Sequence, residues 1–196
     1  MLLNSVSTVQ TPKKTLILEE FLSLPETKPS SEYIDGQVIQ KHIPQGKHST
    51  IQGELFPKIN AVVKVKKMGW AFPELRCTFG VIFIVPDVAV FSWARLPVDE
   101  NGDIANIFTI APDWIIEILS PEQSHTKVTK KILHALNHGT QMGWLIYPDE
   151  RFIAAYPAGK QPLAFEDIYS VLPVPNFCKE LHLTVGEIFG CFLVFP

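Results

Sequence analysis

Apolar residues recur at helical spacing in two long stretches of the chain. The first runs from His48 to about Lys67, and its apolar residues are three or four positions apart: Ile51, Leu55, Ile59, Val62 and Val63. This spacing places them on one face of a helix. Pro57 lies within the stretch and has no amide hydrogen, so a kink or a late start of the helix is expected. The second helix is predicted over 124–138, and Gly139, which follows it, is a typical C-terminal cap.

Three further stretches have the pattern of β-strands. Residues 71–79 alternate between apolar and polar side chains, which predicts a half-exposed strand with one polar face. Residues 81–91 are almost wholly apolar and rich in β-branched side chains, and they predict a central strand interrupted by the pair Pro86-Asp87. A second buried strand is predicted over 114–119, where Ser120-Pro121 ends it.

Turn and capping signals divide the rest of the chain. Asp35-Gly36 separates two short β-prone segments, which predicts a hairpin, and Pro148-Asp149 predicts another. A short helix is expected over 18–24, and residues 184–187 have the form of a capping box that starts a closing helix.

The order of these elements predicts one α/β (α+β) domain with a mixed central β-sheet flanked by helices. The length of 196 residues suits one core. Residues 1–14 are interpreted as a flexible N-terminal arm and residues 15–196 as the single domain.

Composition narrows the class of protein without identifying its function. The chain is 46% hydrophobic and 19% charged, as ordinary globular proteins are. No apolar run approaches the roughly 20 residues that span a bilayer, and the first residues lack the order of a secretory signal, so a cytoplasmic protein without membrane contact is expected.

The chain has an odd number of cysteines without Cys-x-x-Cys spacing, which favours reduced thiols over a metal site. The net charge of −3 carries no basic excess, so a polyanionic substrate needs local charge and a metal ion.

The two apolar strands each contain one acid, Asp87 in the first and Glu117 in the second. A lone buried carboxylate costs several kcal/mol, so each must be paired, protonated or bound to a metal ion. An acid at the end of a strand more often caps a turn or meets a surface lysine. Two acids on neighbouring strands, however, destabilise a sheet unless a cation lies between them.

Lys131 lies in the apolar phase of the helix that follows Glu117. It is three residues after Val128 and four before Ala135, so it points with them toward the sheet, whereas Lys130 points elsewhere. An inward lysine beside two acids can balance their charge and orient a water or a phosphate oxygen. The alternative is a lysine whose stem packs while its ammonium reaches solvent.

Two other acidic features are weaker candidates. The turn over 99–103 resembles a calcium loop but lacks its full ligand pattern, so a solvated loop is favoured. Asp113 follows a proline as Asp87 does, but it shares a single strand with Glu117 and is rejected as the first metal acid.

The combination of these motifs resembles a known family. Pro86-Asp87 is followed by Glu117 in Ile-Ile-Glu-Ile-Leu-Ser-Pro, by a lysine-bearing helix and by Gly-Trp-Leu-Ile-Tyr-Pro. This order is similar to the restriction-endonuclease-like PD-(D/E)XK nucleases and, within them, to the Uma-two family of endonucleases. The resemblance extends over nearly the whole chain, including the helix over 18–25, the hairpin after Glu32 and His48.

The resemblance implies a metal-dependent endonuclease that hydrolyses nucleic-acid phosphodiester bonds. Asp87 and Glu117 bind Mg²⁺ or Mn²⁺ in that interpretation, assisted by the backbone carbonyl of Ile118. The usual catalytic lysine lies two positions after the second acid, which is Leu119 here, and the family pattern assigns its role to Lys131 instead.

Two further residues are carried over from the family pattern. Glu32 matches an acid that completes or supports the catalytic site, and His48 matches a histidine with an accessory role. The chain departs from the pattern at Lys127, where an acid is common, and at Tyr147, where Asp is usual. These departures leave open a second hypothesis, a nuclease fold retained as a binding or interaction module with a decayed site.

The expected partner is nucleic acid, and DNA is favoured over RNA. Basic residues along the long helix could contact its backbone, although a solvated basic face explains them equally well: Lys58, Lys64, Lys66 and Lys67. The apolar residues 192–195 suggest a homodimer.

Overall fold

The computed structural model of the chain describes residues 16–121 and 123–192. The predicted arm, residues 1–14, lies outside them, as do residues 193–195 of the apolar segment taken to suggest a dimer. The helices are α1 (Leu18–Leu22), α2 (Gly46–Val63), α3 (His125–Asn137) and α4 (Val185–Phe189). The strands are β1 (Ser31–Ile34), β2 (Gln37–Gln40), β3 (Gly69–Pro73), β4 (Cys77–Phe79), β5 (Ile82–Ile84), β6 (Val88–Ser92), β7 (Trp114–Ile118), β8 (Met142–Tyr147), β9 (Phe152–Pro157) and β10 (Leu163–Phe165).

A six-stranded sheet in the order β10-β9-β8-β7-β6-β3 forms the centre of the fold. β7 and β8 run parallel and are joined by α3, because parallel strands need a crossover connection, whereas the other neighbours are antiparallel. The predicted mixed sheet flanked by helices is confirmed.

A second, four-stranded antiparallel sheet in the order β2-β1-β5-β4 was not predicted. It arises because two segments expected to be single strands are each divided. Glu74, with φ 46°, ends β3, so residues 77–79 join the small sheet instead of continuing in the large one. Pro86 has no N–H for a ladder, and the chain passes from β5 in the small sheet to β6 in the large sheet at this point.

The large sheet is buried on both faces. Alternate residues of β7 face opposite sides: Ile116 packs in the core under α2 and α4, and Ile115 packs in the core under α3 and the small sheet. α2 begins at Gly46 and continues through Pro57, so the expected late start is wrong. Ile51, Leu55, Ile59 and Val63 of its apolar face are buried, and this packing offsets the hydrogen bond that the proline cannot make.

The local signals for turns and caps are confirmed. Asp35 and Gly36 both have positive φ, 51° and 75°, as a two-residue hairpin turn between β1 and β2 requires. Gly139 has φ 99° after α3, and Thr184 forms the capping box of α4 with Glu187. The hairpin of β8 and β9 is present as well.

The outer edge of β3 is covered by a side chain. The Asn60 amide of α2 donates from Nδ2 to the carbonyl of Ala71 and accepts at Oδ1 from its N–H, both at 2.9 Å. These are backbone groups that an edge strand otherwise presents to another chain.

Candidate active site

Asp87 and Glu117 lie side by side at the end of two paired strands. Val88 of β6 is opposite Ile116 of β7, and continuing this antiparallel register by one residue places Asp87 opposite Glu117. Because strand residues alternate between faces, both acids point to the face covered by α3. Each is only 2% exposed, so the burial expected of both acids is confirmed.

Asp87 is held by a cation and two hydrogen-bond donors. Its Oδ1 lies 2.7 Å from Lys41 Nζ, and its Oδ2 accepts from the N–H of Ile118 at 2.8 Å and lies 3.2 Å from His48 Nε2. Burial alone would raise the pKa of Asp87, but Lys41 and His48 outweigh it and hold that pKa well below its ordinary value. Asp87 is therefore a carboxylate.

Lys131 bridges the other two acids of the site. Its Nζ lies 2.8 Å from Glu117 Oε2 and 2.7 Å from Glu32 Oε1, and the whole residue is 3% exposed. The inward direction expected from its helical phase is confirmed, and the alternative of an ammonium in solvent is wrong. Burial opposes the charge of Lys131, but Glu117 and Glu32 outweigh it and raise its pKa.

Glu117 has one satisfied oxygen and one orphan. Its Oε2 accepts from Lys131, whereas Oε1 is buried and has no hydrogen-bond partner among residues 16–121 and 123–192. Burial raises the pKa of Glu117 to about 8, with the attraction of Lys131 only partly offsetting it. An unpartnered carboxylate oxygen next to a fixed carboxylate is a position that a cation can fill.

Glu32 and His48, carried over only by resemblance, come from distant segments to the same cluster. Glu32 of β1 also accepts from the N–H of Val85 at 2.8 Å, which ties the small sheet to the site. His48 lies in the first turn of α2, and its buried Nδ1 has no hydrogen-bond partner in the part of the chain that the structure describes. Glu32 thus lies beside Lys131 and His48 beside Asp87, and the catalytic role expected of Glu32 and the accessory role expected of His48 stay predictions.

Ile118 is the third residue implied in metal binding. Its N–H points to Asp87, and the N–H and C=O of a strand residue point to the same side. The register of β6 and β7 places Pro86 opposite Ile118, and a proline has no N–H to donate. The carbonyl of Ile118 therefore faces the Asp87 side without a ladder donor.

Two polar residues of the site were missed. Lys41 follows β2, and its Nζ also donates to the carbonyl of Val85 at 2.8 Å. The hairpin signal at Asp35-Gly36 sets its position, but no local pattern marks it as inward. Gln52 donates to the carbonyl of Asp87 at 2.9 Å, and its place one helical turn after His48 was a usable signal.

Asp113 belongs to a separate structural cluster at the opposite end of β7. It accepts from Arg95 at 2.6 Å, from the N–H of Ser92 at 2.8 Å and from Gln141 at 3.0 Å. These donors satisfy it without a metal ion. In the loop over 99–103, Asp99 likewise accepts from two backbone N–H groups of its own turn.

The two departures from the family pattern lie in different surroundings. Lys127 lines a cavity of about 170 Å³ together with Glu32, Lys41 and Lys131, so it adds positive charge at an opening of the site. Tyr147 packs its ring against Phe152, with centroids 5.3 Å apart.

The basic residues predicted to contact nucleic acid lie mainly beyond the far end of α2. Lys64 Nζ lies 3.5 Å from the ring centroid of Trp70, and Lys66 pairs with Glu180. At about 1.5 Å of helix rise per residue, Lys64 is roughly 24 Å along the axis from His48. These contacts favour the structural interpretation of that face.

The described residues contain no group of three His, Cys, Asp or Glu side chains arranged to hold a metal ion. A metal ion between Asp87 and Glu117 would thus have two carboxylates and a backbone carbonyl from the protein, with water completing an octahedral Mg²⁺ or Mn²⁺ shell. The oxygen-only donor set suits these ions, and the orphan oxygen of Glu117 provides a free position. Cys77 and Cys178 are buried thiols, and burial raises the pKa of each to about 12.

A mixed sheet with two adjacent buried acids and a lysine from the next helix defines a restriction-endonuclease-like protein of the PD-(D/E)XK type. The chain belongs to the Uma2 family, whose model, described as "Putative restriction endonuclease", matches residues 18–186.

A solved structure supports this assignment. A crystal structure from Anabaena variabilis, titled as that of a "putative nuclease belonging to DUF820", is 57% identical and superposes with a TM-score of 0.89, covering 91% of this chain and 99% of the other. No curated protein matches the chain. No helix within residues 16–121 and 123–192 has the length and apolar character needed to span a bilayer.

Proposed function

We propose that this protein is a metal-dependent endonuclease that hydrolyses phosphodiester bonds, with Mg²⁺ or Mn²⁺ held by Asp87, Glu117 and the carbonyl of Ile118. The buried, unpartnered Oε1 of Glu117 beside the Asp87 carboxylate is the observation that carries the proposal. Asp87, Glu117 and Glu32 face two lysines, so when Glu117 is ionised one negative charge has no lysine of its own. A divalent cation supplies the missing charge.

The ion, when bound, polarises the scissile phosphate and lowers the pKa of a water molecule. Asp87 is oriented for this by the N–H of Ile118 and by His48. Lys131 is fixed between Glu32 and Glu117, so its ammonium can orient the attacking water and offset the charge that develops on the phosphate. Burial of all these groups excludes bulk water and strengthens each interaction.

The second candidate function is a binding module with a decayed site. It is favoured by one observation: Lys41 already neutralises Asp87 at 2.7 Å, so the acid has a partner without any metal ion. In that case the protein binds nucleic acid, or another partner, without cutting it.

Two measurements separate the candidates. Calorimetry with Mn²⁺ is expected to show binding that is lost in Asp87→Ala. Plasmid DNA, and RNA in a parallel assay, is expected to be cleaved with Mg²⁺ or Mn²⁺ by the wild type and not by Asp87→Ala, Glu117→Ala or Lys131→Ala. Asp149→Ala, which removes a 66% exposed side chain, is the matched control.

Each outcome decides between the two. Metal binding with site-dependent cleavage supports the nuclease. A folded wild type that binds no Mn²⁺ and cuts no DNA or RNA contradicts it, and retained nucleic-acid binding then supports the binding module. The expected homodimer is a separate proposal, which light scattering of the full chain tests.

A further inference from the structure

Lys41 is a cation at Asp87 that the family motif does not account for. It follows β2, at the end of the small sheet, and its side chain is only 10% exposed. Its Nζ contacts Asp87 Oδ1 at 2.7 Å and the carbonyl of Val85 at 2.8 Å. A long, flexible side chain thus covers a carboxylate oxygen that a metal ion also needs.

The two lysines of the site are not held equally. Lys131 lies between two carboxylates, Glu32 and Glu117, at 2.7 and 2.8 Å. Lys41 has one carboxylate and one neutral carbonyl. Charge-assisted hydrogen bonds are the stronger kind, so Lys41 is the lysine that is displaced more easily.

Two cavities are lined in part by Lys41. The residue lines the cavity of about 170 Å³ that contains Lys127 and Lys131, and also a second cavity of about 380 Å³ that contains Ser120 and His42. Residues 41–45 belong to no helix or strand, although the N–H of Lys41 donates to the carbonyl of Ser30 at 2.9 Å and holds the backbone beside β1, so any displacement involves the side chain alone. The side chain can leave Asp87 without unfolding the hairpin.

We propose that Lys41 is an exchangeable counter-ion of the metal site, which neutralises Asp87 in the metal-free protein and is displaced into the adjoining cavities when a divalent cation binds. The proposal rests on the proposed metal dependence. Displacement has a functional consequence, because it places a positive charge beside Lys127 at the opening of the site, where a substrate phosphate enters. Metal loading and affinity for the nucleic-acid backbone are then coupled through one side chain.

Calorimetry with Mn²⁺ alone tests the exchange on the full chain. Lys41→Met removes the competing cation, so it is expected to bind Mn²⁺ about tenfold more tightly than the wild type, equivalent to about 1.4 kcal/mol. Lys47→Met is the matched control, because it removes one charge next to His48 from a residue that pairs with exposed Asp149 instead of Asp87. It is expected to stay within about twofold of the wild type. Lys41→Gln, which keeps a hydrogen-bond donor, replaces Lys41→Met if the latter does not fold.

Chemical labelling distinguishes an exchanging lysine from a merely structural one, because the reactivity of a structural lysine would not change when the metal ion binds. With acetic anhydride, Lys41 is expected to be protected in the metal-free protein and labelled after addition of Mg²⁺, whereas Lys131 stays protected and Lys47 is labelled in both states. Mass spectrometry of peptides measures each lysine separately.

The outcomes keep the two proposals apart. If the wild type binds Mn²⁺ but Lys41→Met and Lys41→Gln bind it no more tightly, or if Lys41 stays equally protected with Mg²⁺, the exchange proposal is wrong and the metal site stands. If neither the wild type nor the variants bind Mn²⁺, the proposed function fails and the exchange proposal fails with it.

Discussion

Lys131 Nζ lies 2.8 Å from Glu117 Oε2, and both side chains are almost fully buried. The strand carries the acid and the following helix carries the lysine, so one β7–α3 unit builds the ion pair. The usual lysine position of the PD-(D/E)XK motif is occupied by Leu119, and the helical phase of α3 supplies the ammonium instead. The stability of the metal-free protein and its proposed chemistry therefore depend on the same contact.

Replacing Lys131 with Met should destabilise the metal-free protein by about 3 kcal/mol or more at neutral pH, because it leaves buried acids without their cation. Urea unfolding followed by circular dichroism measures the change. Lys130→Met removes an exposed lysine of the same helix and should change stability by less than about 0.5 kcal/mol. Equal effects of the two variants would contradict the buried pair.

Glu117 should make the stability of the metal-free protein depend on pH. Its pKa is about 8 in the folded protein, above the ordinary value of about 4.5 for a glutamate, so folding favours its protonated form. The associated stability is complete below about pH 4.5 and is lost as the pH rises toward about 8. Glu117→Gln mimics the neutral form and should gain stability relative to the wild type over this range, by roughly 1.4 kcal/mol per unit of pKa shift at most. Parallel urea titrations at pH 5, 6.5 and 8 test the trend, and a constant difference would refute it.

Metal binding should compete with the same proton. Glu117 must be ionised to bind Mn²⁺, so affinity should rise with pH up to about 8, by up to about tenfold per unit if one proton is released. Calorimetry in two buffers with different ionisation enthalpies measures the number of protons that are released when Mn²⁺ binds. The same titration on Glu117→Gln serves as the control and should show no such release from this site.

Asn60 should protect the edge of the large sheet. Asn60→Ala removes both bonds to the backbone of Ala71 and should destabilise the protein by about 1–3 kcal/mol, because a buried edge loses its partners. If the backbone groups of Ala71 that lose Asn60 become accessible to another chain, self-association should also increase, as measured by size-exclusion chromatography with light scattering. Asn137→Ala, at an exposed position of α3, should do neither.

Gly143 sets the distance between α3 and the sheet. A Cβ at this position would lie 2.3 Å from Ile132 Cγ2, so Gly143→Ala should push away the helix that carries Lys131. Loss of stability together with weaker Mn²⁺ binding is expected. Gly53→Ala is the matched control, since no atom lies within 4 Å of the added carbon and α2 should be stabilised by about 0.5–1 kcal/mol. A neutral Gly143→Ala would show that the helix can adapt.

Local pattern was sufficient for the central residues of the candidate site. Asp87 and Glu117 stood out because charged residues in apolar strands need a partner, and Lys131 because its spacing from Val128 is helical. These inferences use periodicity and burial cost, which act over a few residues and can be read along the chain. The hairpins, the caps and the presence of the helices were predicted for the same reason.

Pairing between distant segments decided the features of the fold and the site that the local sequence pattern did not predict. Residues 71–79 and 81–91 each contribute to two sheets, because the backbone changes direction at Glu74 and Pro86. The two halves of each segment then pair with strands of different sheets. Only this arrangement brings Lys41 to Asp87. Glu32 and His48 could be named by resemblance, but their contacts arise from the packing of the small sheet and α2 on the large sheet. The sequence by itself determined which acids require a cation, and the tertiary structure decided which cations reach them, because burial cost is local whereas strand pairing and helix packing are not.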